Sequence, residues 1–542
     1  MTATALDSAA PKSVVDDLSD IVGASFVLAD VPDRLAYNAD CWPRGIIRTR
    51  GRRLDEHLPL AIVQPANENE VAGLVEWARK TGTALVPYGA GSGVCGGAVA
   101  EQDQVIVDVK RMRDIVETRE EDMTVRVEAG AVGWPFEKEL QRQGYTLGHF
   151  PSSIYCSSVG GWVAARGAGQ YSSLYGKIED MTASMRVVTG AGDILETAPD
   201  FAEERPRRLT NEFGPDLTQI FVGSEGTLGV ITEATLLMSK LPDHQFYRGF
   251  QMPSVEVAVE ALRDLMQTGL RPAVVRLYDS VDTFLHKSGD SEGDAAPGGI
   301  FKQLETLAEE RLPSVTSAVR SRIRDVSNNI FGRVLGQPMA INSLANVLPS
   351  TCLLVLGFEG RGPLAEAEAE YGFDLLDRYG LDLGPEPGRH WLKNRFSVSY
   401  KQSPTFDTGA FVDTMEVSTT WDNVVPLYNA VRQALSPHVV VLAHFSHVYP
   451  EGSSIYFTFA GFAEDTDKTL ELYDRTWKAG LDAVAGVGAS VAHHHGVGQS
   501  KAPWSHHDHT GGPALFRALK SSFDPDNIMN PGKVYPEHGG RP

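Results

Sequence analysis

Residues 87–97 read Pro-Tyr-Gly-Ala-Gly-Ser-Gly-Val-Cys-Gly-Gly, and they follow a strand-like run at 84–86. One G-x-G-x-x-G match, from Gly91 to Gly96, is the pattern of a Rossmann dinucleotide site. A Rossmann glycine turn opens a helix, whereas here the next strand-like run begins at Val105, too soon for a crossover helix. The spacing therefore predicts a glycine-rich turn without a helix. Two interpretations of this turn remain open. Its backbone N–H groups bind a pyrophosphate, or its glycines only allow tight packing.

Two later segments share this composition. Residues 151–169 carry serines and unsubstituted backbone, and residues 223–232 carry glycines and hydroxyl side chains ahead of a strand. Phosphate oxygens accept hydrogen bonds from exposed N–H groups, and glycine permits the close approach that this needs. Three such loops in one domain indicate a long, phosphate-containing cofactor that meets the backbone at several points.

Three adjacent histidines, His493, His494 and His495, precede a Gly-x-Gly turn at 496–498. The pKa of an ordinary imidazole lies nearest neutral pH, so the cluster indicates proton handling, anion binding or metal ligation. A solvated polar turn without chemistry is the alternative. The apolar run at 487–492 would deliver the histidines to the end of a strand, where sites are often built.

The totals describe an ordinary globular protein. The 542 residues are 42% hydrophobic and 22% charged, which is enough material for two large domains. The net charge of −21 argues against nucleic acid or an anionic membrane as the main partner. Four widely separated cysteines favour a reducing compartment. With no secretory pattern and no apolar run long enough for a bilayer, a soluble cytoplasmic protein is expected.

Short strands and helices alternate along the chain. Asn67 predicts the start of a helix that Gly82 ends, and the turn at 190–193 predicts a β-hairpin. The expected organisation is a loosely ordered lead with helical character at 1–55, a first domain at 56–241, a second domain at 242–510 and a C-terminal segment at 511–542 that returns to the first domain.

Four motifs carry a family resemblance: PYGAGSGVCGG at 87–97, PSSIYCSSVGGWVAARGAG at 151–169, YGKIEDM at 175–181 and VGSEGTLGVITEATL at 222–236. In this order they resemble the FAD-domain motifs of the flavoproteins related to vanillyl-alcohol oxidase and para-cresol methylhydroxylase (PCMH). The resemblance extends over roughly residues 56–535. It implies an α+β fold: a PCMH-type FAD-binding domain of two subdomains, followed by an α+β cap domain for the substrate.

The resemblance also implies where FAD binds. The first glycine loop lacks the histidine to which some members attach the flavin, so the FAD is expected to be non-covalent. The expected FAD-binding residues are Pro87, Gly89, Ala90, Gly91, Ser92, Gly93, Pro151, Ser152, Ser153, Ser157, Ser158, Gly160, Gly161, Trp162, Ala164, Gly169, Tyr175, Gly176, Glu225, Gly226, Gly229, Val230 and Ile231.

The second domain distinguishes two branches of this family, alkyl-dihydroxyacetone-phosphate synthase and the D-2-hydroxyacid dehydrogenases. The dehydrogenases carry metal ligands in an HxGDGNxH-like motif and in an EHG motif. Here the first equivalent begins at His447, and Tyr456 takes the place of its second histidine. In the second equivalent, His494 replaces the carboxylate. Both replacements resemble the synthase branch, whose HHHGVG and IYFxFA motifs stand at 493–498 and 455–460, so no metal site is expected.

The synthase branch implies the exchange of an acyl group for an alkyl group on a dihydroxyacetone-phosphate-type substrate, through an adduct at flavin N5. It implies Tyr456 as the acid/base residue, because a phenol near histidinium groups ionises more easily than in water. His493, His494 and His495 would stabilise negative charge or hold phosphate, and Arg276 would lie near the flavin. The alternative for Tyr456 is a buried strand aromatic without chemistry.

One departure from the synthase pattern concerns the substrate phosphate. Gln402 stands where the synthase has its phosphate-binding arginine, and the adjacent Lys401 lacks the bidentate fork of arginine. The rival function is therefore an FAD-dependent oxidoreductase that takes hydride from a 2-hydroxy acid or an alcohol. The expected partners are a small-molecule or lipid-like substrate, a membrane surface contacted peripherally and a second copy of the chain, with no nucleic acid.

Overall fold

The computed structural model describes residues 10–51, 53, 58–101, 103–198, 214–283, 335, 338–345, 350–397, 405–406 and 409–535. The chain divides into two compact units, one formed by Met1–Leu241 with Ala492–Pro542 and the other by Pro242–Val491. The sequence predicts domain boundaries after residues 241 and 510, and the two compact units are divided after Leu241 and Val491. The chain thus leaves the first unit once and later returns to it.

The first unit contains eleven strands in its described part. They are β1 Val27–Leu28, β2 Ala61–Val63, β3 Leu85–Tyr88, β4 Val105–Asp108, β5 Ile115–Arg119, β6 Thr124–Glu128, β7 Tyr145–Thr146, β8 Thr182–Thr189, β9 Ile194–Glu196, β10 Gly229–Leu237 and β11 Ser239–Lys240. Its helices are Lys12–Val22, Val31–Ala36, Pro43–Arg50, Glu68–Thr81, Gly133–Arg142, Val159–Ala164, Ser172–Tyr175, Ile178–Met181, Leu217–Phe221, Ser505–Asp508 and Gly512–Phe523, with short 3₁₀ turns at Ala24–Phe26, Val109–Arg111 and Ala502–Trp504.

Two main sheets organise this unit. The first has the order β1-β2-β4-β3, with β2, β4 and β3 parallel, and the second is antiparallel in the order β5-β6-β10-β8-β9. All four residues of β4 are buried, as expected for a parallel strand covered on both faces. The pairing of β8 with β9 confirms the predicted hairpin.

The helix Glu68–Thr81 confirms its predicted start and end. Asn67 Oδ1 accepts a hydrogen bond from Glu70 N at 3.0 Å, and the Glu70 carboxylate accepts one from Ala66 N at 2.7 Å. Gly82 follows the helix with a left-handed φ of +71°. These contacts satisfy N–H groups that the first helical turn leaves without partners.

The N-terminal region, expected to be a loosely ordered lead with helical character over residues 1–55, is helical over much of its described length. Three helices form there between residues 12 and 50. Leu18 and Val22 lie on one side of the first helix and are buried in the same core as Val71, Leu74 and Val75 of the helix Glu68–Thr81. The region is ordered because this apolar side is covered, a tertiary contact that its alanine- and aspartate-rich composition does not reveal.

The second unit contains seven described strands in one antiparallel sheet of order β15-β12-β14-β13-β17-β18-β16. The strands are β12 His244–Met252, β13 Val274–Tyr278, β14 Cys352–Gly360, β15 Leu381–Asp382, β16 Ala410–Thr420, β17 Val440–Val448 and β18 Gly452–Phe462. The helices are Val255–Gln267, Pro338–Ala345, Pro363–Leu376, Glu386–Asn394, Val424–Leu435 and Thr466–Gly486, with a 3₁₀ turn at Trp421–Asn423.

The two faces of this sheet differ in character. Along β18, Phe457 and Phe459 are buried and contact Tyr428 and Trp477 from two of the helices. Because side chains alternate along a strand, Tyr456 lies on the opposite face. The helices thus cover the apolar face, and the other face carries the polar residues. None of the described helices is both long and apolar enough to cross a membrane.

Candidate functional site

The glycine-rich segment 89–97 lies in the connection from β3 to the parallel strand β4. As predicted, the described residues of this connection form no helix. Gly91 has a left-handed φ of +66°, and a Cβ on Gly89 would collide with Ser158 Oγ. Neither position accepts a side chain without displacement. Unsubstituted backbone of this kind suits phosphate oxygens.

Lys110 joins this glycine loop to the buried Asp108. Its Nζ donates a hydrogen bond to Gly89 O at 2.9 Å and lies 2.9 Å from the buried Asp108 carboxylate. Asp108 also accepts hydrogen bonds from Tyr37 Oη at 2.7 Å and Gln64 Nε2 at 3.1 Å. Burial, with help from Asp108, raises the pKa of Tyr37, so the phenol stays a donor. The sequence does not reveal this group, because its members are spread over 74 positions from 37 to 110.

The serines of the second loop hydrogen-bond within it. Ser157 Oγ accepts from Trp162 Nε1 at 2.8 Å and donates to Ser153 O at 2.9 Å. Ser158 Oγ accepts from Gly161 N at 3.4 Å at the start of the helix Val159–Ala164. These contacts are made within the protein, so the loop does not depend on a ligand for them.

The third loop is joined to the second. Gly223 N donates to Val163 O at 3.0 Å, and Glu225 N donates to Ala164 O at 3.0 Å. Beyond this loop, Gly229, Val230 and Ile231 begin β10, and the Val230 side chain belongs to the hydrophobic core. A contact of Val230 with a cofactor would therefore use its backbone. The three predicted loops thus lie together in the first unit.

His149, which sequence analysis passed over, is almost fully buried in this region. Its ring lies 4.6 Å from that of Trp162 in a tilted arrangement, and neither ring nitrogen has a hydrogen-bond partner among the described residues. Burial lowers the pKa of His149 to about 3, so the imidazole is neutral at physiological pH. A neutral imidazole with both nitrogens unsatisfied is available to a ligand. The Gly-His-Phe-Pro context at 148–151 was its only signal in the sequence.

Glu225 faces the turn that follows the three histidines. Its carboxylate accepts hydrogen bonds from Val497 N at 2.6 Å and Gly498 N at 2.9 Å. It adopts a left-handed φ of +48°, uncommon for a residue with a side chain. Burial raises the pKa of Glu225, while these hydrogen bonds oppose the rise. The carboxylate predicted to contact the cofactor thus holds the histidine turn.

The C-terminal segment completes the same region. Leu85 N donates to Ile528 O at 2.7 Å, and Asn530 N donates to Leu85 O at 2.8 Å, which places this segment beside β3. Asn530 Nδ2 donates to Gly97 O at 2.9 Å and to Glu225 O at 2.7 Å. One side chain therefore joins the first glycine loop to the third.

The three histidines contact one another. His493 Nδ1 and His494 Nδ1 lie 2.9 Å apart, and the rings of His494 and His495 are 4.5 Å apart, edge to face. A hydrogen bond between the two nitrogens requires one of them to carry a proton. Gly496 and Gly498 follow with left-handed φ values. The cluster is half-buried, which differs from a fully solvated turn.

Tyr456 lies in a row of polar side chains across four strands of the second unit. Tyr278 on β13 pairs with His444 on β17, His444 with Tyr456 on β18, and Tyr456 with Glu416 on β16. Arg276 lies two residues before Tyr278, on the same face of β13. Burial, and then Glu416, raise the pKa of Tyr456, whereas a side-chain hydrogen bond with Thr414, and then Arg276, oppose the rise. We refer to Tyr278, His444, Tyr456 and Glu416 as the cross-strand row.

The predicted residues thus fall into two groups. The predicted FAD-binding residues and His493–His495 belong to the first unit, and Tyr456 and Arg276 belong to the second. Gln402 and Lys401 lie outside the described residues. His444 was not predicted, because its strand neighbours become apparent only from the register.

The first unit fits FAD. The glycine loop excludes side chains where phosphate would lie, and His149 offers two unsatisfied nitrogens within the same set of loops. Because 87–97 contains no histidine, the expectation of non-covalent FAD stands as a prediction.

Comparisons with known proteins agree with this description. Residues 59–198 match the model of the FAD-binding domain, and residues 241–309 and 336–534 match that of the C-terminal domain of FAD-linked oxidases. The alkyldihydroxyacetonephosphate synthase of Dictyostelium discoideum is 30% identical over 505 residues, covering 91% of this chain and 76% of the relative. The glycolate oxidase subunit GlcD of Bacillus subtilis is 22% identical, covering 97% of both chains.

Solved structures show the same fold. An alkyldihydroxyacetonephosphate synthase aligns with a TM-score of 0.71 and 27% identity, covering 96% of this chain and 86% of that one. Substrate-bound p-cresol methylhydroxylase aligns with a TM-score of 0.69 and 16% identity, covering 96% of both, which shows the fold alone. These findings confirm the predicted fold class and FAD as the cofactor.

Proposed function

Because the chain belongs to the family of FAD-linked oxidases that includes alkyldihydroxyacetonephosphate synthase, we propose that it exchanges an acyl group for an alkyl group on a dihydroxyacetone-phosphate-type substrate. The family contains both synthases and oxidoreductases. The choice between them rests on the residues that would move protons and hold charge.

The observation that carries this proposal is the position of Tyr456 in the cross-strand row. Its phenol lies between an imidazole on β17 and a carboxylate on β16, with Arg276 contributing positive charge from β13. A phenol among such groups can both give and take a proton. A hydride transfer from a hydroxy acid needs only a base, so a residue poised for both directions favours the exchange.

The proton movements of the exchange can be assigned to Tyr456. Its raised pKa keeps the phenol protonated at neutral pH, so the residue begins as a donor. It gives its proton to the departing carboxylate oxygen and takes one from the hydroxyl of an incoming fatty alcohol. One C–O bond at substrate C1 breaks and another forms, so that the acyl ester and the fatty alcohol give the alkyl ether and the free fatty acid. No electrons are gained or lost overall.

The other predicted residues bind and orient. We propose that the predicted residues of the three glycine-rich loops hold FAD, which when bound supplies an electrophile that stabilises negative charge at the substrate carbon. His493, His494 and His495 would contribute positive charge toward phosphate or the departing carboxylate. Arg276 would act near the flavin. The ether-lipid role, the cytoplasmic location, the homodimer and the peripheral membrane contact belong to the same proposal, and light scattering with a vesicle flotation assay would test the last two.

The test is an anaerobic absorbance titration of the FAD-loaded protein with palmitoyl-dihydroxyacetone phosphate, beside a panel of D-2-hydroxy acids. We expect the flavin band to bleach with the acyl ester and to return when a fatty alcohol is added. Tyr456→Phe should lower the rate of exchange by a factor of roughly 100 or more, because proton transfer by a side chain contributes about that much. Unchanged exchange in this variant would remove Tyr456 from the role.

The second candidate is an FAD-dependent oxidoreductase of a 2-hydroxy acid or an alcohol. Two observations favour it: the similarity to glycolate oxidase subunit GlcD, and Gln402 at the position expected for a phosphate-binding arginine. Bleaching by a hydroxy acid that only an electron acceptor reverses would establish this function and exclude the synthase.

A further inference from the structure

We propose that His444, held by Asp282, is a positioning residue for Tyr456: it fixes the plane of the phenol ring and makes its ionisation easier by placing positive charge against it. This inference rests on the proposed function, in which Tyr456 gives and takes the proton. It concerns the second unit alone.

The strand register brings the two rings together. His444 and Tyr456 are paired residues of the antiparallel strands β17 and β18 and lie on the same face of the sheet. Their ring centroids are 4.8 Å apart and their planes differ by 15°, which is a stacked arrangement. A stacked neighbour limits rotation of the phenol about its long axis, and because the O–H bond prefers the ring plane, it fixes the plane in which the hydroxyl hydrogen lies.

Asp282 lies near the His444 imidazole. Asp282 Oδ2 lies 3.7 Å from His444 Nδ1, and both side chains are largely shielded from solvent. Burial, and then the nearby Asp279, raise the pKa of Asp282 to about 8, whereas Arg276 opposes the rise. Asp282 therefore holds its proton at neutral pH, and it becomes a carboxylate that can face an imidazolium only as the pH rises past about 8. Asp279 itself pairs with Arg432 at 2.6 Å, so its charge is already balanced.

The sign of the effect on Tyr456 follows from the charges around it. Within the second unit the ionisable groups near it are Glu416 and Asp413 from β16, His444 from β17, and Arg276 and Tyr278 from β13. Burial and Glu416 oppose formation of the phenolate. Under the proposal, a proton on His444 would favour the phenolate, because the stacked rings, 4.8 Å apart, would bring that positive charge close. Under the proposal, His444 thus lowers the pKa of Tyr456 against the effects of burial and Glu416, which helps Tyr456 to transfer its proton.

The experiment places 3,5-difluorotyrosine at position 456 of the FAD-loaded protein and follows its ¹⁹F signal as the pH is raised. Fluorination brings ionisation of the phenol into the range where the protein is stable, and the signal reports ionisation without turnover. We expect the midpoint to lie about one pH unit higher in His444→Phe, since an adjacent opposite charge shifts a pKa by that order. Phenylalanine keeps the stacked ring and removes the charge, so the fold is preserved.

Asp282→Asn provides the second arm. If Asp282 acts through His444, this variant also raises the midpoint, and the double variant adds nothing further. A midpoint unchanged in His444→Phe, or lowered in Asp282→Asn, would overturn the inference. His438→Phe, which removes an imidazole of the same unit outside the row, is the matched control. A shift of equal size there would assign the effect to net charge and would also overturn it.

This readout separates the two proposals. If the midpoint moves as expected but Tyr456→Phe retains full exchange activity, the proposed function fails while the ionisation inference stands. If exchange depends on Tyr456 but the midpoint does not respond to His444, the inference fails and the function stands.

Discussion

The carboxylate of Glu225 holds the turn after the histidines through the N–H groups of Val497 and Gly498. Glu225→Ala leaves these donors without their acceptor, and Gly498 is buried. We expect the free energy of unfolding to fall by about 1–3 kcal/mol, the cost of unsatisfied buried donors. Urea unfolding followed by flavin fluorescence would measure it. Glu121→Ala, an exposed glutamate of the same unit, should have little effect. Equal losses in both variants would contradict the assignment.

His149 makes the stability of the protein depend on pH. Burial lowers its pKa from 6.5 to about 3, so between these values the unfolded chain binds a proton that the folded chain does not. Stability is therefore lost as the pH falls below 6.5, by up to about 1.4 kcal/mol per pH unit for this one group. We expect His149→Leu to flatten this dependence in thermal unfolding measured down to about pH 5.

The control for His149 is His506→Leu, an exposed histidine of the same unit. The stability of this variant should depend on pH in the same way as that of the unsubstituted protein. Equal slopes in all three proteins would show that His149 does not carry the effect.

At the scale of elements, the connection between β3 and β4 depends on Lys110. Lys110→Met removes the hydrogen bond to Gly89 O and leaves Asp108 buried beside an apolar side chain. We expect the dissociation constant for FAD to rise by roughly tenfold, equivalent to about 1.4 kcal/mol. Quenching of flavin fluorescence on titration of the FAD-free protein would measure it. Lys138→Met, at an exposed lysine, should leave the constant unchanged, and equal constants for both variants would contradict this role.

Elements with local signals could be predicted from the sequence. The helix after Asn67 and the hairpin at 190–193 depend on side chains next to them in the chain, so their patterns sufficed. The burial of the N-terminal helices could not be predicted in this way, because Leu18 is covered by a helix some 50 residues later in the chain. Local pattern identifies an element, whereas distant packing decides whether a weakly patterned segment is ordered.

At the scale of the whole molecule, the first unit needs the C-terminal segment. Ending the chain after Asp526 removes the bonds from Leu85 to Ile528 and from Asn530 to two glycine-rich loops. We expect this truncated protein to lose FAD and to be cleaved faster in limited proteolysis. Ending the chain after Tyr535 keeps all of these contacts and is the control. FAD binding at full strength in the shorter protein would refute this dependence.

For the candidate site, the glycine-rich loops and the residues of recognised motifs could be predicted from the sequence. It did not carry His149, Lys110 or His444, which stand in no repeated spacing. His444 becomes relevant only once β17 and β18 are in register, since a shift of one residue would turn it to the helix-covered face. The local sequence pattern does not show which residues of two strands lie opposite each other, so residues such as His444 are identified only from the structure.

The return of the chain to its first unit has a consequence during synthesis. A ribosome releases Leu85 and the glycine loop hundreds of residues before it adds Ile528 and Asn530. The nascent chain must therefore keep the edge of β3 uncovered while the whole second unit emerges and folds. On the dependence predicted above for the truncated protein, FAD binds only after the ribosome has added Ile528 and Asn530, so this cofactor joins a chain whose synthesis is almost finished.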